Sequence, residues 1–275
     1  MDSYQEFITH FNIDKEKLFE WGISSTIFPS IDKVTAEWEN LKYRIFHNEV
    51  VYIRKYGPNS RKTKLYIDFY AEFMHNTNVR VDVGNNTIPH KVIQRTTGMK
   101  RNKDLYNYQV SHIWGHTKNV FLFEAPWNMC YTPKIMDPFT GHETKGIWPK
   151  EYQRRFYQKA TEVYRPFVEE YNQIMKELNA KKRLQEYIVS LNGSVPEGDL
   201  LQFAKDSAEQ SRRLTTGARE DSLMRSKSTT RDSTASSHLT PLQQLPLKSR
   251  AVFVSWKTFY VILSSARMLN YPCHQ

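Results

Sequence analysis

Three residues in the middle of the chain, His112, Asn128 and His142, have the types and the order that a metal-dependent hydrolytic site uses. Hydrolysis of a phosphodiester needs a base that deprotonates water and a cation that offsets the charge on phosphorus and on the leaving oxygen. Histidine suits both tasks, because its unperturbed pKa lies near neutrality and its neutral ring binds metals. These residue types could therefore supply a general base and a metal ligand for such a reaction.

The segment 105–147 must position these residues, and it begins with a predicted strand. Strand alternation places His112 on the same face as Tyr108 and Val110. Trp127 and Asn128 are predicted to introduce a helix, in which Cys130 would be buried. Asn128 is a common residue at a helix N-cap, and that role does not exclude a functional one.

This segment resembles the HNH nucleases, the ββα-metal or His-Me finger class, and more narrowly an HNH-type type II restriction endonuclease. The motifs that carry the resemblance are SHIWG, then PWN, then PFTGHE followed by a lysine, over about forty residues. The resemblance implies that His112 is the general base, with its tautomer fixed by a backbone carbonyl. It also implies that Asn128 is the middle asparagine of the catalytic motif, whose side chain braces the loop. His142 would be a ligand of Mg²⁺ or of another divalent cation such as Mn²⁺.

The metal ligands depart from the family pattern. Ser111 stands where most members carry an acidic residue or a histidine that helps to hold the metal. Asp137 is therefore a candidate for the missing carboxylate ligand, and Ser111 is kept as a candidate metal ligand. For His142, a place in a turn without any metal is the alternative interpretation. The cysteine pairs that flank many such motifs, and that bind a structural zinc, are also missing. The motif must therefore be stabilised by the packing of Phe121, Phe123, Trp127 and Tyr131.

Positive charge favours an anionic partner, and the resemblance implies double-stranded DNA. The formal net charge is +10, although basic tails give the same value without any role in nucleic-acid binding. Residues 91–103 read as an exposed basic loop directly before the site. The candidate DNA-binding residues are Lys100, Arg101, Lys103, His116, Lys118 and Lys145. For His116 and Lys118, an exposed polar loop without a ligand is an equally good interpretation.

The whole chain is predicted to be an α+β protein in which the ββα-metal motif is embedded in a mainly helical domain. Residues 1–104 form a helical and mixed region that is a candidate for DNA binding, and residues 105–147 form the HNH-like motif. Residues 148–191 are helical. Residues 192–275 are predicted to be a disordered or atypical tail, because serine, threonine and arginine dominate much of it.

Apolar spacing within the first region predicts helices over 4–20, 30–46 and 64–74, and strands over 50–53 and 79–83. From Pro149 onward, apolar residues recur every three and four positions, which predicts a long helix. Pro166 should kink or divide that helix. Its apolar stripe is typical of core packing, with a homodimer interface as the alternative.

The two cysteines, Cys130 and Cys273, exclude a disulfide framework and a four-cysteine zinc site. The acidic N-terminal sequence does not resemble a signal peptide, and no apolar stretch is long enough for a membrane span. We therefore expect a cytoplasmic protein without a membrane partner. A restriction role also implies a cognate DNA methyltransferase that protects host DNA.

Two other classes of protein remain open. One is a non-catalytic basic nucleic-acid-binding protein in which the histidines are structural. The other is an interaction protein built on the helices of residues 149–190. Whether His112, Asn128 and His142 converge distinguishes them, because packing alone gives these side chains no reason to meet.

Overall fold

A computed structural model describes residues 2–56, 60–141, 145–191 and 193–214. The helices within these ranges are α1 (Ser3–His10), α2 (Lys15–Ser24), α3 (Ile31–Phe46), α4 (Ser60–Met74), α5 (Thr87–Thr97), α6 (Asp137–Thr140), α7 (Ile147–Glu177), α8 (Ala180–Ser190) and α9 (Glu197–Gln210). The strands are β1 (Val51–Arg54), β2 (Val79–Asp82), β3 (Tyr108–His112) and β4 (Met129–Pro133). This mostly helical α+β architecture is the class that the sequence predicts.

Strands β1 and β2 form a parallel pair, with α4 as the crossover between them. Their register runs from Val51 opposite Val79 to Arg54 opposite Asp82. Val51, Ile53 and Val79 are buried, as expected for a small sheet covered by helices. Both strands and the crossover helix lie where the sequence predicts them.

Strands β3 and β4 form an antiparallel hairpin, from Tyr108 opposite Pro133 to His112 opposite Met129. The prediction of a helix introduced by Trp127 was wrong, since Pro126–Asn128 is a single 3-10 turn that β4 follows directly. Proline at the first position starts the turn, and pairing with β3 then extends the next residues. Cys130 is thus buried in a strand instead of a helix.

Helix α5 replaces part of the exposed basic loop predicted over residues 91–103. Its buried side chains, Pro89, Val92, Ile93 and Thr96, have the spacing of one helix face. Val92 and Ile93 pack with β4 residues beneath the hairpin. The helix ends at Gly98, whose φ of +75° favours glycine. Only residues from Gly98 onward form the predicted surface turn.

The N-terminal segment forms two helices instead of the single predicted one. Asn12 adopts a positive φ of 50° between them, a conformation that asparagine tolerates better than most residues. The Asp14 carboxylate then accepts a hydrogen bond from the Lys17 amide and caps α2. The apolar spacing across residues 4–20 therefore concealed a turn.

Helix α7 is kinked as predicted. Tyr164 leaves the helical region, at φ −117° and ψ 17°, two residues before Pro166. The apolar stripe faces the core, where Phe156, Tyr164 and Tyr171 are buried. Packing therefore accounts for this stripe. Among the described residues, no helix has the length and apolar character required to cross a membrane.

Helix α9 corrects the prediction of disorder after residue 192. Phe203 is fully buried and packs against Tyr66 and Tyr187, with ring centroids 4.9 Å and 6.0 Å away. The Tyr66 hydroxyl also donates to the Asp206 carboxylate. The buried Phe203 ring thus anchors α9 to α4 and α8. The predicted tail from residue 215 to residue 275 lies outside the described residues.

Candidate active site

His112 ends β3, half-buried, with its ring held by Phe123. The His112 Nε2 atom lies 3.0 Å from the Phe123 carbonyl oxygen, and the two rings stack at 5.6 Å with an interplanar angle of 14°. A carbonyl oxygen only accepts hydrogen bonds, so Nε2 carries the proton in the neutral ring. Nδ1 is then the basic nitrogen. The structure thus contains the backbone-carbonyl contact that the resemblance implied for the base.

Asn128 is fully buried and braces the loop that connects β3 to β4. Its Oδ1 accepts a hydrogen bond from the Trp114 amide at 2.9 Å. Its Nδ2 donates to the carbonyls of Gly115 and Leu122, both at 3.0 Å. The side chain makes no helix-capping bond, so the capping interpretation was wrong. Its described partners are all backbone groups, so Asn128 holds the conformation of this loop.

Replacing Asn128 with alanine should therefore destabilise the fold. The variant leaves one amide and two carbonyls without their partner in a buried loop, and we expect a loss of about 2 to 3 kcal/mol of unfolding free energy. Urea unfolding followed by circular dichroism measures it. The matched control is Asn40→Ala, since Asn40 is exposed on α3 and its side chain contacts only Arg44 among the bonds described. Equal stability of the two variants would contradict the bracing role.

Two of the three candidate metal ligands, Ser111 and Asp137, lie on the face of the hairpin opposite His112. The Ser111 hydroxyl is 2.8 Å from the Thr132 hydroxyl. Asp137, exposed at the start of α6, accepts a hydrogen bond of 2.6 Å from the Gln109 side chain. Gln109 and Ser111 share one face of β3 by strand alternation. This places Asp137 on the Ser111 side of the hairpin.

The described residues do not form a complete metal site by themselves. Among them, no group of three or more histidine, cysteine or acidic side chains is arranged to hold one metal ion. The predicted ligand His142 lies outside the described residues. The hydrogen bond from Gln109 places Asp137 on the Ser111 side of the hairpin, away from His112.

The predicted basic contacts divide into two groups. Lys100, Lys103 and Lys145 are exposed and Arg101 is half-buried. Lys100, Arg101 and Lys103 lie on one turn. Asp104 orders this turn, because its carboxylate accepts a hydrogen bond from the Lys100 amide at 2.8 Å. This turn precedes Tyr108, the first residue of β3, whereas His112 is the last. The length of the strand, about 13 Å, therefore separates the turn from His112.

Lys118 and His116 belong to the loop between β3 and β4, where both side chains are half-buried. The Lys118 ammonium is 2.7 Å from the Asp206 carboxylate and lies 3.9 Å from the centre of the Tyr56 ring. The Lys118 amide also donates to the Gln210 side chain. The expectation of an exposed polar loop was therefore wrong at Lys118, since this residue joins the loop to α9.

Glu124 is a residue of the site that the sequence did not reveal. It is 5% exposed, and its two carboxylate oxygens accept hydrogen bonds from the Tyr52 amide at 2.6 Å and from Arg44 at 2.9 Å. Burial raises the pKa of the Glu124 carboxyl, and the Arg44 charge opposes this rise. The only signal in the sequence is an acidic residue inside the apolar run FLFEAPW.

Residues 29–214 match the model of the protein family described as "Uncharacterised protein PM1201", and the chain belongs to this family. A relative described as "Uncharacterized protein PM1201", from Pasteurella multocida (strain Pm70), is 39% identical over 189 residues. The aligned part covers 68% of this chain and 86% of the relative. No solved structure matches the chain. All candidate site residues and the elements α3 to α9 lie within the family segment.

The positive charge is spread over the family segment and the residues beyond it. Of the 39 lysines and arginines and 29 acidic residues, residues 215–275 contain eight and three respectively. Half of the net charge of +10 therefore lies outside residues 1–214. The net charge of residues 1–214 is therefore only half of the value for the whole chain.

Proposed function

We propose that this protein is a metal-dependent endonuclease of the ββα-metal class that hydrolyses phosphodiester bonds in double-stranded DNA. The observation that carries the proposal is the hydrogen bond from His112 Nε2 to the Phe123 carbonyl at the end of the first hairpin strand. The buried Asn128, which braces the loop, and α6, which follows the second strand, support the same class.

In the proposed reaction, His112 removes a proton from water through Nδ1, because Nε2 is held by the carbonyl. The resulting hydroxide attacks phosphorus, the bond to the 3′ oxygen breaks, and a 5′-phosphate remains. His142 would supply a ligand to Mg²⁺ or Mn²⁺, which would offset the charge on the leaving oxygen. Asp137 and Ser111 lie on the opposite face of the hairpin from His112, so they are not assigned to this metal. Asn128 keeps the loop in the conformation that orients the base.

The proposal includes a manner of binding DNA. The exposed Lys100, Lys103 and Lys145, together with Arg101, would contact backbone phosphates along the hairpin. Lys118 is paired with Asp206 and serves to hold the loop instead. A restriction role, with cleavage of both strands by a homodimer and a cognate methyltransferase in the cytoplasm, is the specific form that the family resemblance suggests.

Incubation of the purified 275-residue chain with supercoiled plasmid tests the proposal. We expect linear or fragmented DNA with added Mg²⁺ or Mn²⁺ and intact DNA with EDTA. Discrete fragments would indicate sequence-specific cleavage. Intact plasmid with every divalent cation, together with salt-dependent retardation of DNA on a gel, would favour the non-catalytic nucleic-acid-binding protein.

A further inference from the structure

The Phe123–Glu124 peptide bond is fixed from both sides. On one side, the Phe123 ring stacks on the His112 ring, and the Phe123 amide donates to the Asn119 carbonyl at 3.0 Å. On the other side, the Glu124 carboxylate is bound by Arg44 and by the Tyr52 amide. The Phe123 carbonyl, which accepts the hydrogen bond from His112, belongs to this peptide bond.

The partners of Glu124 are themselves held in place. Arg44 lies on α3 and donates its Nε to the Asn40 side chain at 3.0 Å and its Nη1 to the Val50 carbonyl at 2.8 Å. Tyr52 is a residue of β1, which is paired with β2. The carboxylate thus ties the loop to a helix and a strand that are distant in the sequence. A buried carboxylate with two charge-assisted or short hydrogen bonds is a strong anchor.

We propose that Glu124 is a positioning residue for His112, acting through the Phe123 carbonyl. The expected effect on catalysis rests on the proposed function. The expected effect on the orientation of the His112 ring does not depend on that function. Loss of the carboxylate would release the Phe123–Glu124 peptide, lengthen the bond from Nε2 and let the ring reorient. Small displacements of a catalytic group lower the rate strongly without changing substrate affinity.

Glu124→Gln is the variant that tests this proposal. It preserves size and offers one oxygen, so either Arg44 or the Tyr52 amide then faces an amide NH₂ group instead of an acceptor. Glu170→Gln is the matched control. The Glu170 carboxylate is likewise bound at both oxygens, by Lys42 at 2.6 Å and by the Trp38 indole at 3.0 Å, and contacts neither Phe123 nor Glu124 in the bonds described.

The direct readout is the His112 imidazole proton in NMR spectra of the 275-residue chain. A hydrogen bond to the Phe123 carbonyl slows exchange of the Nε2 proton with water, so a resonance should appear in the wild type and in Glu170→Gln. His112→Gln assigns it, because that variant lacks the signal. We expect exchange broadening to remove the signal in Glu124→Gln at a temperature at which all of these variants are folded.

Cleavage kinetics give the second readout. We expect kcat to fall on the order of tenfold in Glu124→Gln, with KM unchanged and with both constants near the wild-type values in Glu170→Gln. A persistent imidazole resonance in Glu124→Gln, or its absence in the wild type, would overturn the proposal. If DNA is not cleaved by any variant while the resonance behaves as expected, the proposed function fails and the positioning role stands.

A second variant applies if Glu124→Gln does not fold. Arg44→Lys retains the charge and the Glu124 carboxylate but removes the guanidinium contacts with Asn40 and Val50. We expect faster exchange of the His112 imidazole proton than in the wild type. The same exchange rate as in the wild type would count against transmission through Glu124.

Discussion

His112→Ala is expected to lower the rate of DNA cleavage by about a thousandfold, the usual contribution of a general base. This corresponds to about 4 kcal/mol of transition-state stabilisation. The fold should tolerate the change, because the half-buried ring contributes one hydrogen bond to Phe123 and one ring stack in the contacts described. We expect a loss of about 1 kcal/mol of unfolding free energy.

Single-turnover cleavage of a plasmid in Mg²⁺ measures the first quantity, and urea unfolding measures the second. The matched control is His47→Ala, since His47 is an exposed histidine that stacks on Tyr43 at the end of α3. It should cleave DNA like the wild type. Unchanged cleavage by His112→Ala would show that the histidine is structural. Loss of DNA binding together with cleavage would instead point to a contact with substrate.

Phe203→Ala is expected to destabilise the protein by about 3 to 5 kcal/mol, the usual cost of removing a buried aromatic ring. The side chain is 0% exposed and packs between Tyr66 and Tyr187. Helix α9 also contacts the loop through Asp206 and Gln210. Loosening of α9 should therefore increase amide exchange in residues 113–123.

Thermal unfolding and hydrogen exchange with mass spectrometry test both parts of this prediction. Leu201→Ala is the matched control, because Leu201 lies on the same helix and is 63% exposed. It should change the unfolding free energy by less than about 0.5 kcal/mol. A similar small effect for Phe203→Ala would mean that α9 does not dock as a helix. Destabilisation without faster amide exchange in residues 113–123 would show that α9 does not hold the loop in place.

Local patterns predicted much of the candidate site. Alternation in residues 108–112 indicated β3, and the resemblance carried by the short motifs SHIWG and PWN implied an oriented ring at His112 and a bracing amide at Asn128. Helix α7 and its kink at Tyr164 followed from apolar spacing and from Pro166. In each of these cases the signal lies within a few residues, so the sequence alone contains it.

Long-range pairing accounts for the failures. Met129 to Pro133 follows a turn that looks like a helix start, and only its partner β3, about twenty residues earlier, makes it a strand. In α5 the basic composition masked a regular apolar stripe. Glu124 finds its partners Arg44 and Tyr52 on α3 and β1, and no local rule connects residues so far apart.

The contact between the hairpin loop and β1 also affects how the protein behaves among other copies of itself. One side of β1 pairs with β2, while on the other side the Tyr52 amide binds Glu124 and the Arg54 amide binds the Thr117 carbonyl at 2.9 Å. An open strand edge is a template for pairing with another chain. The loop that carries the proposed chemistry therefore also shields the sheet, and selection against aggregation would maintain its conformation even where catalysis exerts no pressure.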